Sequence, residues 1–437
     1  MTMSNNPTHS SIRKTLSYRY AIYAVLALAY FFVFFHRTST AVMAPDLITE
    51  FGLEPSALGL LSSMYFYAYA LGQLPAGILS DRWGPRIIMF IFSLVAGTGA
   101  IIFGLAENYH VVLLGKFMVG LGVSFVWVPA MCILTNWFRK NEFATYSAIL
   151  ASIGNSGSIA SAAPLVLLIS AIGWRNSMLL VGCVSILIAA LIFAIVRNKP
   201  SAIGGASIAQ IEDDETPAAT NTTNISVGQG LKQVFSNWNY VQICLLVFVF
   251  YGTIMGFQGL WGGPFLRDVY GLSADEAGKL LMFIPIGMII ASPLVGYTSD
   301  KIFHSRKKVL FFGAFLYSLA WFALVFMTDS MSPAFLPILM LWFGFFGSVM
   351  VISFADAKET CNPELAGTAV GGLNLFPFIG GALFQQIMGI VIAKYPQSLP
   401  GVYSVTAYRS AFTLCLAALI IGIILYSQHK ENPSIGK

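Results

Sequence analysis

Charge is scarce in this chain. Of 437 residues only 10% are Asp, Glu, Lys or Arg, whereas soluble domains carry about 25%. So little charge cannot cover the surface of a water-soluble globule, which excludes a soluble enzyme or binding domain. Cysteine is sparse too. Cys132, Cys183, Cys244, Cys361 and Cys415 lie far apart and form no CxxC or Cys/His spacing, so neither a disulfide framework nor a zinc site is expected. His9, His36, His110, His304 and His429 form no HExxH pattern. No nucleophile–base pair or phosphate-binding glycine loop is apparent, so no catalytic residue, metal or cofactor is expected. A net charge of +5 gives no broad basic surface for a nucleic acid. Residues 1–19 are polar and basic and do not form a cleavable signal peptide.

What is present is apolar: 57% of the residues, with a mean hydropathy of +0.75, gathered into long runs. A helix of about 20 apolar residues crosses a bilayer core. Twelve such runs are read at 20–44, 56–79, 87–106, 110–136, 144–171, 175–197, 239–263, 277–298, 308–328, 334–355, 365–393 and 407–427. Backbone groups in lipid must be satisfied within each segment, so the runs are helices. The expected fold is all-α and integral to the membrane. Seventeen of the 24 Lys and Arg residues fall on the side that holds the N-terminus, which makes both termini cytoplasmic by the positive-inside rule. The expected division is a tail (1–19), a six-helix half (20–200), a mobile cytoplasmic linker (201–232), a second six-helix half (233–428) and a tail (429–437). The linker is rich in Ser, Thr, Ala and Gly and has no apolar period.

The halves repeat. An ungapped shift of 219 residues places Pro45 on Pro264, Gly59 on Gly278, Gly77 on Gly296, Asp81 on Asp300, Arg82 on Lys301 and Asn155 on Asn374. The charged pair and the asparagines together argue for duplication and two pseudo-symmetric halves. That is the architecture of carriers whose halves rock about a central site.

Within this frame the loop Gly77-Ile-Leu-Ser-Asp81-Arg82-Trp-Gly84-Pro-Arg86 resembles the G-x-L-x-D-R-x-G-x-R signature of the major facilitator superfamily. A degraded second copy, Gly296-Tyr-Thr-Ser-Asp300-Lys301, stands in the corresponding place. The resemblance implies a gating role for Gly77, Asp81, Arg82, Gly84, Arg86, Asp300 and Lys301. Stretches 34–47, 58–86, 136–148, 173–175 and 364–383 further resemble the anion:cation symporter branch, the galactonate, hexuronate and sialin-like carriers. That resemblance implies substrate-anion binding by Arg37 and substrate holding by Asn374, with Tyr67 and Gln73 in the matching second span. Lys116 stands where the family has the Arg of an R-x-x-x-G motif.

Arg37 also stands out on physical grounds. An Arg within a span costs roughly 2.5–3.5 kcal/mol on insertion scales, and no acidic partner is apparent: all 19 acidic residues fall at loops or span ends, with Asp46 and Asp356 nearest to membrane depth. It is therefore expected to face a wet cavity. Asn155, Gln258, Gln385 and Gln386 are further polar candidates, with Trp127, Trp261, Tyr65 and Tyr67 as walls. Two departures from the branch matter. Its Asp before the first-span Arg is His36 here, and its fourth-span Glu is absent from residues 123–129. His36 is thus either a proton-coupling residue, because imidazole titrates near neutrality, or a polar cavity residue.

The expected function is secondary active transport of a small organic anion by alternating access, with a proton or cation as co-substrate. The alternative is an exporter, or a carrier of neutral or zwitterionic solutes such as amino acids or peptides. The expected setting is a lipid bilayer, a bacterial cytoplasmic (inner) membrane, with the chain as a monomer.

Overall fold

The computed structural model describes residues 8–211, 227–362, 365–399 and 401–431. Its long helices are α1 (His9–Phe51), α2 (Pro55–Trp83), α3 (Pro85–Leu105), α4 (Tyr109–Trp137), α5 (Lys140–Ala160), α6 (Ala163–Ile195), α7 (Trp238–Tyr270), α8 (Ala274–Tyr297), α9 (Arg306–Phe326), α10 (Phe335–Thr360), α11 (Gly367–Ile392) and α12 (Val405–Ser427). All but α2 and α5 are long and apolar enough to cross a membrane. Those two are diluted by polar residues: Ser62, Ser63, Tyr65, Tyr67, Tyr69 and Gln73 on α2, and Ser152, Asn155, Ser156 and Ser158 on α5. Large apolar side chains such as Leu71, Leu105, Leu167, Phe312, Phe326 and Ile421 stand exposed around the bundle. An apolar exterior of this extent suits a bilayer rather than water.

Helix ends differ from the ends of the apolar runs. Residues 9–19, expected as tail, continue α1: Thr8 caps it at Ser11 N, and Arg19 pairs with Glu142 on α5 at 2.7 Å. Hydropathy marks where lipid begins, not where hydrogen bonding ends. The described ends of the segment 201–232 are folded. Turns at Pro200–Ile203 and Ile208–Ile211 and a helix at Val227–Phe235 occupy its ends, and the Thr15 hydroxyl ties Ala206 to α1. The acidic residues Glu212, Asp213, Asp214 and Glu215 and the N-x-S/T matches at Asn221 and Asn224 lie outside the described residues. One small departure from an all-helical fold is an antiparallel hairpin, Gln397–Leu399 with Val402–Tyr403.

Several helices are broken where they line the interior. A π turn at Phe257–Trp261 interrupts α7, a 3-10 turn at Ser348–Val351 interrupts α10, and α4 breaks at Phe125–Val126, ahead of Pro129. Each break frees backbone groups that must find partners away from lipid. Glutamine amides supply two of them: Gln73 Nε2 donates to Ser124 O (3.2 Å) and Gln385 Nε2 to Met255 O (2.9 Å).

Candidate functional site

The bundle encloses a cavity of about 780 Å³. It lies between α1, α2, α4 and α5 on one side and α7, α8, α10 and α11 on the other, and it reaches Gly77, Leu231 and Gly367 at one end. The opposite end is closed by tight packing of α2 on α11 and of α1 on α7. Ser63 Oγ donates to Ala382 O (2.6 Å), and Tyr67 OH to Gln386 Oε1 (2.7 Å). A Cβ on Gly59 would lie 2.8 Å from Gln385 O, and one on Gly263 would lie 2.9 Å from Ala41 O. That carbonyl belongs to the residue four before Pro45, so it has no helical donor.

Arg37 lies on the cavity wall and is only 5% exposed. Its Nη1 donates to Tyr251 OH at 2.8 Å, and its guanidinium sits 4.3 Å from the ring centre of Phe34, 5.5 Å from Tyr69 and 5.4 Å from Phe378. No carboxylate among the described residues pairs with it, and its Nε has no hydrogen-bond partner among them. Aromatic faces and a phenol thus hold the cation in place without neutralising it.

Of the other sequence candidates, Gln73, Asn155, Gln258, Trp127 and Asn374 line the same cavity. Asn374 Nδ2 donates to Gln73 Oε1 (2.6 Å), while Asn155 Nδ2 turns back to Ala151 O in its own helix (3.1 Å). Asn155 and Asn374 are paired by the 219-residue shift, and so are the cavity residues Gln73 and Ser292.

Tyr67 and Trp261 are not brought to the cavity wall. Tyr67 points to the α2–α11 seam, and Trp261 is fully buried, donating Nε1 to Gln385 O (2.9 Å). Tyr65, Gln385 and Gln386 likewise serve helix packing: Tyr65 OH bonds Val33 O.

His36 is also set apart. Successive residues of a helix point about 100° apart, so Arg37 faces the cavity while His36 turns toward α6. There Nε2 lies 3.3 Å from Ser185 Oγ, in a separate small void with Phe32 and Ser93. Its reading as a cavity residue is therefore corrected. Lys116 is 2% exposed and donates to His36 O (3.0 Å), with Nζ 5.5 Å over the Tyr65 ring. It does not line the cavity.

The residues missed from sequence are the ones around Arg37: Phe34, Tyr69, Tyr251 and Phe378. A signal existed for Tyr69. Tyr65, Tyr69, Gln73 and Gly77 follow at four-residue spacing and share a face of α2, which Tyr67 does not. Tyr251 and Phe378 carried no such signal, because their proximity to Arg37 is tertiary.

At the motif end, Gly77 lines the cavity, while Arg82 and Lys301 are exposed. The side chains of Asp81 and Asp300 lie outside the described residues. Gly84 turns the chain at φ 84°, and a Cβ there would meet Asn198 at 2.5 Å. Asn198 Oδ1 accepts from Arg86 N (2.9 Å), and the Arg86 side chain bonds Phe193 O. A matching arrangement stands at the start of α9. Glu431 accepts from the backbone N–H of Arg306 and Lys307, and Arg306 pairs with Glu359 (3.3 Å). Helix N-termini favour such acceptors.

These features define a polytopic helical membrane protein built around a ligand-sized cavity. The chain belongs to the Major Facilitator Superfamily, whose family model matches residues 26–385. It is therefore a transporter-family protein and not an enzyme. The chain is 25% identical over 433 residues to a "Probable hexose phosphate transport protein" of Chlamydia trachomatis, covering 95% of this chain and 92% of that one. It is 25% identical to "Membrane sensor protein UhpC" of Escherichia coli (84% and 85% covered) and 24% identical to "Probable sulfoacetate transporter SauU" of Cupriavidus necator (88% and 89%). Among solved structures, a bacterial homolog of the human lysosomal transporter Spinster, described as inward-facing and unoccupied, superposes with a TM-score of 0.78 at 18% identity. It covers 95% of this chain and 99% of that one. A D-xylose-proton symporter superposes with a TM-score of 0.73 at 14% identity, covering 96% and 99%. Both likenesses are likenesses of fold.

Proposed function

We propose that the protein is a secondary active transporter that moves a small organic anion by alternating access, with Arg37 as the anion's anchor. The observation that carries this reading is a guanidinium only 5% exposed, on a cavity wall, with no carboxylate partner among the described residues. A buried unpaired cation is costly, and an entering anion offsets that cost. Relatives named for hexose phosphate and sulfoacetate transport support an anionic cargo.

In the same reading the long helices make twelve spans in two six-helix halves (20–200 and 233–428), joined by the cytoplasmic segment 201–232. Both termini are cytoplasmic, and the membrane is a bacterial inner membrane. The cavity's reach to Gly77 and Leu231 then makes this an inward-open form, with the α2–α11 and α1–α7 contacts closing the far side. The motif residues Gly77, Asp81, Arg82, Gly84, Arg86, Asp300 and Lys301 act in gating, since the turn at Gly84 and the Arg86–Phe193 bond sit where that side must close. Coupling to a proton or cation belongs to this proposal. Because His36 is kept off the cavity, coupling through its imidazole would need a route from the α6 side of α1 to the cavity.

The test is uptake into proteoliposomes of purified chain. Anion flux that is lost in Arg37→Gln while the protein stays folded supports the reading. Flux of neutral or zwitterionic solutes indifferent to Arg37 overturns it. Anion binding without flux would favour a sensor, as the name of the UhpC relative suggests.

A further inference from the structure

We infer that the cavity's ligand is a singly charged acid on an apolar, ring-sized body, an aromatic monocarboxylate, rather than a sugar phosphate or a dianion. The inference rests on the anion reading above and narrows it.

Charge comes first. Arg37 is the one cationic side chain among the described residues of the cavity wall, and no Asp or Glu stands there with it. Lys116, also deeply buried, is committed to the His36 carbonyl. The wall therefore carries one positive charge. A monoanion neutralises it, whereas a dianion leaves a net negative charge away from water, and an unpaired buried charge is strongly unfavourable. A phosphate monoester carries about −1.5 to −2 at neutral pH, and sulfoacetate carries both a sulfonate and a carboxylate. The cargoes named for the relatives thus ask for more positive charge than this wall provides.

The donors of Arg37 point the same way. Phe34 covers a face of the guanidinium, and Tyr251 takes Nη1. Nε is itself buried and unpartnered, so the guanidinium offers a ligand few donors, and a single carboxylate asks for fewer than a phosphate or a dianion.

The body of the ligand follows from the rest of the wall. Tyr69 and Phe378 stack at 3.9 Å between ring centres beside Arg37, and Ile254, Met255 and Met288 lie on the helices opposite α1 and α2. Three of the four wall amides are already engaged: Gln73 and Asn374 bond each other and Asn155 bonds its own helix, which leaves Gln258, whose Oε1 has no partner among the described residues. One amide cannot pair the several hydroxyls of a polyol, while an aromatic ring finds aromatic faces and polarisable thioethers.

The experiment is a ligand titration of the purified full chain in detergent, followed by thermal shift and by quenching of tryptophan fluorescence. The probes are 3-phenylpropionate, phenylsuccinate, propionate, glucose 6-phosphate and sulfoacetate. The expected result is saturable binding of 3-phenylpropionate, about tenfold or more tighter than each of the others, one factor of ten being about 1.4 kcal/mol. That binding should be lost in Arg37→Gln and weakened less in Arg37→Lys, which keeps the charge without the planar fork. If Arg37→Gln does not fold, the Arg37→Lys comparison carries the test. Tighter binding of phenylsuccinate, glucose 6-phosphate or sulfoacetate, lost with Arg37, overturns this inference and leaves the anion reading standing. Propionate binding as tightly as 3-phenylpropionate overturns the ring. Binding of none of the five, or binding unchanged in both Arg37 variants, removes the anion reading itself.

Discussion

Asn374 on α11 donates its side-chain amide to the Gln73 carbonyl oxygen on α2 at 2.6 Å, joining two residues 301 apart in the chain. The other end of the same Gln73 amide satisfies Ser124 O at the break in α4. One glutamine thus links the cavity wall to a helix break, and its two bonds are mutually dependent. A neutral hydrogen bond contributes about 0.5–1.5 kcal/mol net. A double-mutant cycle of Gln73→Ala and Asn374→Ala, read by thermal or denaturant unfolding, should show a coupling energy of that size. Strictly additive losses would mean that the bond contributes nothing.

Arg37 should behave in opposite ways in stability and in binding. Its charge has no carboxylate partner among the described residues, so Arg37→Gln removes a desolvated cation at the cost of the bond to Tyr251 and the contacts with the rings of Phe34, Tyr69 and Phe378. The melting temperature is expected to hold or rise, because replacing buried charges is often neutral or stabilising. Anion affinity is expected to fall by about tenfold or more, since charge-assisted bonds are worth roughly 1.5–3 kcal/mol. A fall in both would mark Arg37 as a structural residue.

How far these features can be read from the sequence depends on their range. Spans are legible because lipid imposes a length and a composition on each segment independently. Arg37 is legible because an Arg in an apolar run is costly wherever its helix packs. The helical phase of α2 distinguishes Tyr69 from Tyr67, and the helical phase of α1 separates Arg37 from His36, so both were within reach of the sequence. The aromatic setting of Arg37 was not: Tyr251 and Phe378 come from α7 and α11, and nothing in their local sequence points toward α1. The same holds for Gln385. A glutamine in an apolar run looks like a cavity residue until the π turn of α7 shows which carbonyl it serves.

Gly380 tests the packing of α11 on α7. A Cβ there would collide with the carbonyl of Phe248, and backbone cannot yield as a flexible side chain can. Gly380→Ala should cost about 1–3 kcal/mol, the range for overpacking. Gly77→Ala, with open space around its Cβ position, should leave stability unchanged. Equal melting temperatures for the two variants would contradict the close approach.

The chain after α12 is held by a buried cluster. His429 Nε2 lies 3.2 Å from Asp356 Oδ1, Tyr426 donates its hydroxyl to Asp356 Oδ2 at 2.6 Å, and His429 and Asp356 are 0% and 1% exposed. Removing one partner of a buried hydrogen bond costs about 1–3 kcal/mol. His429→Ala should therefore release residues 427–431 and the Glu431 cap on α9, raising hydrogen exchange there and at Arg306 and Lys307 while leaving α1–α6 unchanged. Unchanged protection at Arg306 would show that Glu431 holds α9 independently of the cluster.

His36 gives the sharpest test of where coupling resides. Its ring meets Ser185 in a void apart from the Arg37 cavity, and only its backbone carbonyl contacts Lys116. Glutamine at this position keeps a polar group for Ser185 but does not titrate, and it leaves the carbonyl where it is. His36→Gln is therefore expected to retain anion binding and any proton-driven uptake within about twofold, the difference of ~0.5 kcal/mol typical of substitutions away from a site's key contacts. Lys116→Met, which strips the His36 carbonyl of its donor, should be the more damaging of the two. Uptake that loses its dependence on a pH gradient in His36→Gln while binding persists would instead assign the proton step to the imidazole, and would require a route from the α6 side of α1 to the cavity.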